Sequence, residues 1–250
     1  MRSPDQLVHS RARLRRRYAL FPIEGYPTSR LPLWNGAEVR ILTSPAMGAG
    51  FVQYKIDLTA GGGTQQASDG RTEAFVYLLS GDITITVDGQ QSNLSAGGFA
   101  FVPHTAAFEI KASGPASLLL LRKTYEATVG VGQPKAIVGH ERDVKPEPFA
   151  GNEHARLQLL IPDDLQYDLA MNIFTFDPGH GLPYVETHVM EHGLYFLAGK
   201  GMYYLDGEWM EVEQTDFIWM APFCPQSFYA TGPSPSKYIY YKNVNREIAL

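Results

Sequence analysis

The chain has 250 residues, enough for one large or two small domains, and its 21 basic and 26 acidic side chains give a net charge of −5. This balance gives no general support for nucleic-acid binding, and no segment approaches the ~20 apolar residues that cross a bilayer. The single cysteine, Cys224, excludes an intrachain disulfide, and charge rather than an apolar core follows Met1. We therefore expect a cytoplasmic protein with no nucleic-acid or membrane partner.

The first charged feature is the run Arg11-Ala-Arg-Leu-Arg-Arg-Arg17. Such a run can bind an acidic partner, but short arginine runs more often form solvated surface, and we favour that interpretation. Further along, 24 Gly, 17 Pro, 14 Tyr and 13 Phe favour many short strands joined by turns over a helical protein.

Two parts of the chain resemble one another at a constant offset of 118 residues. Val76–Gly89 aligns with Leu194–Gly207, and Gly97–Phe101 aligns with Thr215–Trp219. Each copy contains a strand, a tight turn, a second strand, an Asp-Gly hairpin and a third strand, and Asp-Gly between alternating apolar residues is a strong hairpin signal. The repeat predicts two tandem antiparallel β-barrels or jelly rolls with few short helices. The Pro-rich segment 133–153 is the expected connector, so we predict domains at 1–145 and 146–250.

The second copy contains a short stretch rich in possible metal ligands, Glu186-Thr-His188-Val-Met-Glu-His192-Gly, and Gln226 follows after a Pro-containing turn. Nitrogen and oxygen donors of this kind can hold one divalent metal. His188 and His192 would lie about 13 Å apart on a continuous strand, whereas two ligands of one metal lie within ~4 Å. The chain is therefore predicted to fold back between the two histidines and to bring all four side chains together.

The repeat also supplies an internal control. None of the residues 118 positions before the four candidate ligands is a good metal ligand; they are Ser68, Gly70, Ala74 and Phe108. If the fold itself needed the polar side chains, both copies would be expected to carry them. The pattern indicates one functional site, in the second copy.

Two other interpretations of the stretch exist. His188-Val-Met-Glu-His192 also fits H-x-x-E-H, an inverted zinc-protease motif, but that motif requires a helix, and the flanking Pro183 and the strand-like 193–199 argue against one. The second interpretation is that the histidines have only a structural or surface role. The metal site is the interpretation we favour.

The second copy resembles a cupin domain. Cupins commonly carry His-x-His, then Glu, then a final His; here Glu186 takes the first His position, His192 the Glu position and Gln226 the last His position. This permuted order, together with a first cupin that lacks ligands and the C-terminal stretch Tyr238–Arg246, resembles the (S)-ureidoglycine aminohydrolases. The fold this implies is an all-β bicupin.

The resemblance implies an Mn(II)-dependent hydrolase that converts (S)-ureidoglycine and water to (S)-ureidoglycolate and ammonia in purine and allantoin degradation. Fe, Zn or Ni would also accept such donors. The metal ligands that it implies are Glu186, His188, His192 and Gln226. The substrate contacts that it implies are Glu186, Tyr203, Tyr238 and Lys242, with Lys242 as the catalytic group for proton transfer. Strand periodicity agrees in one respect, since Tyr238, Tyr240 and Lys242 share one face.

Two further functions stay open at this stage. The same pocket could serve another metal-dependent cupin enzyme, such as a dioxygenase or an isomerase, or the chain could be a non-catalytic bicupin that binds a small ligand. A small-molecule substrate is expected. A homo-oligomer is also expected, because bicupins often pair through exposed strands. The sequence does not fix the role of Glu73 or of the arginine run.

Overall fold

The structure is a computed structural model, and it describes residues 11–248. Three short 3₁₀ helices lie at Ile23–Gly25, Pro45–Met47 and Glu141–Asp143. Within residues 11–248, no helix is both long enough and apolar enough to span a membrane. The strands, in chain order, are β1 (Arg13–Leu14), β2 (Tyr18–Phe21), β3 (Trp34–Thr43), β4 (Phe51–Gln66), β5 (Thr72–Ser80), β6 (Asp82–Val87), β7 (Gln90–Ser95), β8 (Gly98–Val102), β9 (Phe108–Ala112), β10 (Ala116–Thr124), β11 (Ile137–His140), β12 (Glu147–Phe149), β13 (Asn152–Leu159), β14 (Leu169–Phe176), β15 (His192–Ala198), β16 (Lys200–Leu205), β17 (Glu208–Glu213), β18 (Phe217–Met220), β19 (Gln226–Ala230) and β20 (Ser236–Asn243).

The N-terminal unit comprises residues 27–144, 164–168 and 245–248. Its antiparallel sheet has the order β11-β8-β5-β10-β4-β9-β6-β7, with β3 also paired to β4. The long strand β4 pairs with β10 before Gly61 and with β9 after it. Gly61 has φ 76°, a backbone conformation that favours glycine, so the strand can bend there. The bend lets one sheet curl around a single apolar core.

The C-terminal unit comprises residues 11–26, 145–163 and 169–244. It has an eight-stranded sheet of order β1-β2-β18-β15-β20-β14-β13-β12 and a three-stranded sheet of order β17-β16-β19. Aromatic side chains from both sheets share one core, so the sheets pack face to face. Phe176 and Tyr238 come from the large sheet, and Tyr203 and Phe228 from the small one. The predicted all-β architecture with few short helices is confirmed.

The two predicted Asp-Gly hairpins adopt the same backbone conformation. Asp88 and Gly89 have φ 46° and 78°, and Asp206 and Gly207 have φ 49° and 96°. Positive φ at both central residues is the signature of a type I′ turn, which matches the twist of its flanking strands. The turns connect β6 to β7 and β16 to β17, whose bounds differ by 118 residues throughout. The repeat seen in the sequence is therefore a repeat of structure.

The N-terminal strands belong to the C-terminal unit, which differs from the predicted boundaries of 1–145 and 146–250. Strand β2 pairs with β18, and Tyr18 and Leu20 contribute to the core of that unit. The arginine run lies on the same unit and pairs with its acidic side chains. Arg11 donates two hydrogen bonds to the buried Asp216, and Arg17 pairs with Asp206. Arg11 is thus not the solvated surface residue expected from the sequence.

Candidate metal site

The segment with the candidate ligands runs beside β19 and then turns back into β15. Glu186 and Gln226 form an isolated antiparallel bridge, with the Glu186 N–H donating to the Gln226 carbonyl at 2.8 Å and the reverse bond at 2.9 Å. The Phe223 N–H donates to the His188 carbonyl at 2.7 Å and fixes the next part of the segment. β15 then begins at His192. The segment has no helix, so the arrangement needed for an H-x-x-E-H protease is missing.

The turn brings the two imidazoles together. His188 Nε2 and His192 Nε2 lie 3.2 Å apart, and the two rings meet at an interplanar angle of 80°. This separation lies within the ~4 Å allowed for two ligands of one metal. The sequence-based expectation that the chain reverses between these residues is confirmed by the geometry.

Hydrogen bonds at the far side of each ring determine which nitrogen faces the site. His188 Nδ1 lies 3.2 Å from the Met190 carbonyl oxygen, and His192 Nδ1 lies 3.0 Å from the Tyr241 carbonyl oxygen. A carbonyl only accepts, so each Nδ1 carries the proton and each Nε2 presents a lone pair. Two lone pairs that face one another repel, whereas both can bind a shared cation, and metal-bound histidines are commonly oriented in this way.

The charge state of the imidazoles also suits a metal. Burial lowers the pKa of His192 to about 3, with His188 adding to the effect. Burial, together with the charge of Lys242, lowers the pKa of His188 as well. Both rings are therefore neutral near pH 7, which is the form that binds a metal ion.

Gln226 completes a three-sided arrangement. It is buried at the start of β19, and its side-chain amide nitrogen lies 3.3 Å from His188 Nε2. The Tyr203 hydroxyl donates to Gln226 Oε1 at 3.2 Å and holds the amide in place. Three of the four predicted ligands thus converge.

The carboxylate of Glu186 is the exception. Within residues 11–248, no three His, Cys, Asp or Glu side chains lie close enough to hold a metal ion, so Glu186 does not join the two imidazoles here. Its backbone is anchored to Gln226, and burial raises the pKa of its side chain, opposed by the charge of Lys242. The structure places the Glu186 backbone beside Gln226, and the role of its carboxylate as a ligand stays a prediction.

The predicted substrate residues lie on the neighbouring strands. Lys242 on β20 is in register with His192 on β15, and among residues 11–248 no acceptor is bonded to its Nζ. Tyr203 and Tyr238 are buried, with ring centroids 6.2 Å apart. Burial raises the pKa of both hydroxyls, so they are protonated donors at neutral pH. The site therefore combines neutral candidate metal ligands, one lysine and two phenols.

Comparisons with known proteins decide the family. The chain is 33% identical over 236 residues to the (S)-ureidoglycine aminohydrolase of Escherichia coli K12, covering 93% of this chain and 90% of the relative. It is 31% identical over 242 residues to the Arabidopsis thaliana (S)-ureidoglycine aminohydrolase, covering 95% and 79%. The chain belongs to the (S)-ureidoglycine aminohydrolase family. The resemblance proposed from the permuted ligand order is thereby confirmed.

Solved structures agree on the fold. The crystal structure of the E. coli protein Ylba has a TM-score of 0.88 at 30% identity and covers all of both chains. Oxalate decarboxylase of Bacillus subtilis matches with a TM-score of 0.70 over 92% of this chain and 78% of its own, but at 12% identity it indicates the fold alone. A family model for the EutQ-like cupin domain matches residues 47–125. That stretch is the copy without candidate ligands, and it confirms the cupin fold there.

One buried polar residue near the candidate site is not evident from the sequence. Asn172 lies on β14, and its side-chain amide nitrogen donates to the Tyr240 hydroxyl at 3.2 Å. The only sequence signal is a single amide in the otherwise apolar stretch Leu169–Ile173. Without a structure, that asparagine cannot be assigned to the pocket.

Cys224 lies two residues before Gln226 in the sequence. It is buried in the core of the unit, and burial raises the pKa of its thiol to about 12. A thiol with a raised pKa carries little thiolate near neutral pH and is a poor nucleophile. The structure supports the packing role.

Proposed function

We propose that this protein is a metal-dependent hydrolase that converts (S)-ureidoglycine and water to (S)-ureidoglycolate and ammonia. The observation that carries the proposal is the convergence of His188, His192 and Gln226 in a chain that is 33% identical to an (S)-ureidoglycine aminohydrolase over 93% of its length. The site lies in only one of the two copies of the fold, as a single functional centre requires.

The donor set fits a divalent cation. The two neutral imidazole Nε2 atoms and the Gln226 amide oxygen would hold Mn(II), which accepts nitrogen and oxygen ligands, and the Glu186 carboxylate would complete the set once its side chain turns towards them. When bound, the metal supplies Lewis-acid stabilisation of negative charge on the substrate. With one carboxylate among four ligands, the set leaves most of the charge of the cation available to the substrate.

Lys242 relays the proton that passes from the water to the departing nitrogen. The bond between the central carbon and its amine breaks, a new bond to the water oxygen forms, and one proton passes from water to the departing nitrogen. Lys242 is paired with His192 in the β15–β20 register, and its Nζ is not bonded to another side chain of the described residues, so the amine is available to a substrate bound there. A positioned acid or base contributes typically 10²–10⁴-fold. The Tyr203 hydroxyl holds Gln226, and the buried rings of Tyr203 and Tyr238 exclude water.

Ammonia release from freshly prepared (S)-ureidoglycine tests the proposal. The purified protein should release ammonia, lose that activity after treatment with a chelator, and regain it with Mn(II) in preference to Fe(II), Zn(II) or Ni(II). Activity that survives complete removal of the metal, verified by elemental analysis, would reject the metal role. No ammonia from any metal-loaded form would reject the substrate.

A further inference from the structure

Asn172 is a buried residue of strand β14 that lies close to the proposed site. It is in the middle of β14, in register with Tyr240 on β20, and only 3% of it is exposed. Alternate residues of a strand point to the same face, so Asn172 shares its face with Phe174 and Phe176, which form part of the core of the unit. Its amide therefore points into the aromatic interior and not to solvent.

The amide of Asn172 is only half satisfied. Its nitrogen donates to the Tyr240 hydroxyl at 3.2 Å, but its oxygen is buried without a hydrogen-bond partner in the structure. Buried polar atoms in proteins are nearly always paired, and an unpaired one destabilises the fold. An apolar side chain of similar size would avoid that penalty among these aromatic rings. The unpaired oxygen is therefore a feature that calls for a ligand.

Tyr240 supplies a complementary group beside it. Its hydroxyl accepts from Asn172, and among residues 11–248 no acceptor is bonded to its own proton. The Tyr240 ring packs edge-on against His192, with centroids 5.5 Å apart, so the pair borders the metal-binding imidazole. One free acceptor and one free donor thus lie side by side next to the candidate metal site.

We propose that Asn172 and Tyr240 together recognise the carbamoyl group of the substrate. Asn172 Oδ1 accepts a hydrogen bond from a carbamoyl N–H, and the Tyr240 hydroxyl donates to the carbamoyl oxygen. This adjacent acceptor and donor match the adjacent donor and acceptor of a –CO–NH₂ group, and they do not match a carboxylate, which only accepts. The inference deepens the proposed function and rests on it for the choice of substrate.

Such a pair should act on specificity. A site that hydrogen-bonds a substrate group discriminates strongly against an analogue that lacks it, because the buried polar atoms of the site are then left unpaired. A purely structural Asn172–Tyr240 bond would stabilise the fold but would not distinguish one ligand from another.

The test uses two ligands that differ only at this group. N-carbamoylglycine carries –CO–NH₂, and N-acetylglycine carries –CO–CH₃ with the same carboxylate. Calorimetric titration of the Mn(II)-loaded protein should show tighter binding of N-carbamoylglycine by about tenfold or more, since each net hydrogen bond contributes on the order of that factor. Equal affinities in the wild-type protein would overturn the proposal.

Variants locate the effect. Tyr240→Phe keeps the ring and removes the hydroxyl, and Asn172→Leu removes the amide; both should lose the preference and bind N-acetylglycine unchanged. Tyr229→Phe, at a half-exposed tyrosine of β19, is the matched control and should keep the preference. Metal content and thermal unfolding verify that each variant is folded and loaded. Equal weakening of both ligands, or a retained preference in Tyr240→Phe, would refute the proposal.

The binding assay separates this inference from the proposed function. A wild-type protein that prefers N-carbamoylglycine but releases no ammonia from (S)-ureidoglycine would support the recognition pair and reject the hydrolysis. A protein that hydrolyses (S)-ureidoglycine, with Asn172→Leu and Tyr240→Phe unchanged in KM and in ligand preference, would support the hydrolysis and reject the pair.

Discussion

Ala74 in β5 and His192 in β15 are equivalent positions of the repeat, and each lies on a strand that pairs with two neighbours. Ala74 pairs with Val102 and Arg122, and His192 pairs with Met220 and Lys242. Equivalent positions of the two sheets therefore accept a small apolar side chain in one unit and an imidazole in the other. The fold does not require the imidazole, so the difference between the two positions reflects function.

The next pair of equivalent residues repeats the contrast. Phe108 opens β9 opposite Val87, and Gln226 opens β19 opposite Leu205. The phenyl ring fills the apolar core of the N-terminal unit, whereas the amide lies beside His188. One unit uses its interior for packing and the other uses the same place for polar ligands.

The units also differ in the charges that they bury. The N-terminal unit buries Glu73, Lys123 and Asp168, with Lys123 paired to Asp168 and 3.8 Å from Glu73. The C-terminal site instead buries imidazoles whose pKa values are lowered. The buried charges of the first unit, Lys123 and Asp168, pair with each other, whereas the imidazoles of the second unit are available to a ligand. The following experiments test this contrast.

His192→Ala should cause the largest effect, because it gives β15 the residue found at the equivalent position of β5. We expect metal affinity to fall by at least about 100-fold and activity to disappear. This loss exceeds the effect typical of removing a residue that only hydrogen-bonds to a metal ligand. Elemental analysis and ammonia release measure the two quantities. Undiminished metal content in His192→Ala would contradict the assignment.

Lys242→Met should reduce kcat by about 10²–10⁴-fold while metal content stays at the wild-type level, because the substitution removes a proton donor and no ligand. Lys111→Met, at an exposed lysine of the N-terminal unit, is the control and should be indistinguishable from wild type. Full activity of Lys242→Met would show that the catalytic proton comes from elsewhere.

Lys123→Met should affect stability. It leaves the Asp168 carboxylate buried without its cation, and removal of one partner from a buried ion pair costs about 3–5 kcal/mol. The free energy of unfolding in urea should fall by that amount, with Lys111→Met unchanged. A midpoint equal to that of wild type would mean that the buried pair contributes nothing.

Glu73→Gln should change the pH dependence of stability. Burial, with Asp168 nearby, raises the pKa of Glu73 to about 9 from its ordinary 4.5. Below about pH 4 both the folded and the unfolded state hold this proton, and the contribution of Glu73 to stability is fully present. As pH rises towards 9 only the folded state still holds the proton, and the contribution is progressively lost. The variant should therefore lose stability less steeply between pH 5 and 9, by up to about 1.4 kcal/mol per pH unit. If the wild-type protein and the variant gave the same denaturation curve at every pH in this range, the raised pKa of Glu73 would be contradicted.

Local patterns predicted much of this molecule. Asp-Gly between alternating apolar residues forms a two-residue turn wherever it occurs, so the hairpins at Asp88 and Asp206 followed from the sequence. The reversal between His188 and His192 followed from the length of an extended chain compared with a metal–ligand distance. Both inferences needed only nearby residues and fixed geometry.

Long-range placement was not predictable. The pairing of β2 with β18 depends on residues almost two hundred positions apart, and no local pattern encodes it. Asn172 carries no signal that separates a pocket amide from a surface one, because its significance comes from its register with Tyr240. The position of the Glu186 carboxylate depends on rotamers that sequence spacing does not determine.

The pairing of β2 with β18 has a consequence for synthesis in the cell. Phe21 and its partner Phe217 are 196 residues apart, the difference between the two positions. At roughly 5–20 residues per second, the ribosome makes Phe217 about 10 to 40 s after Phe21. Throughout that interval the apolar Tyr18–Phe21 has only the two-residue strand β1 to pair with, so the C-terminal unit can assemble completely only near the end of translation. The most N-terminal strands are thus among the last to gain their native contacts.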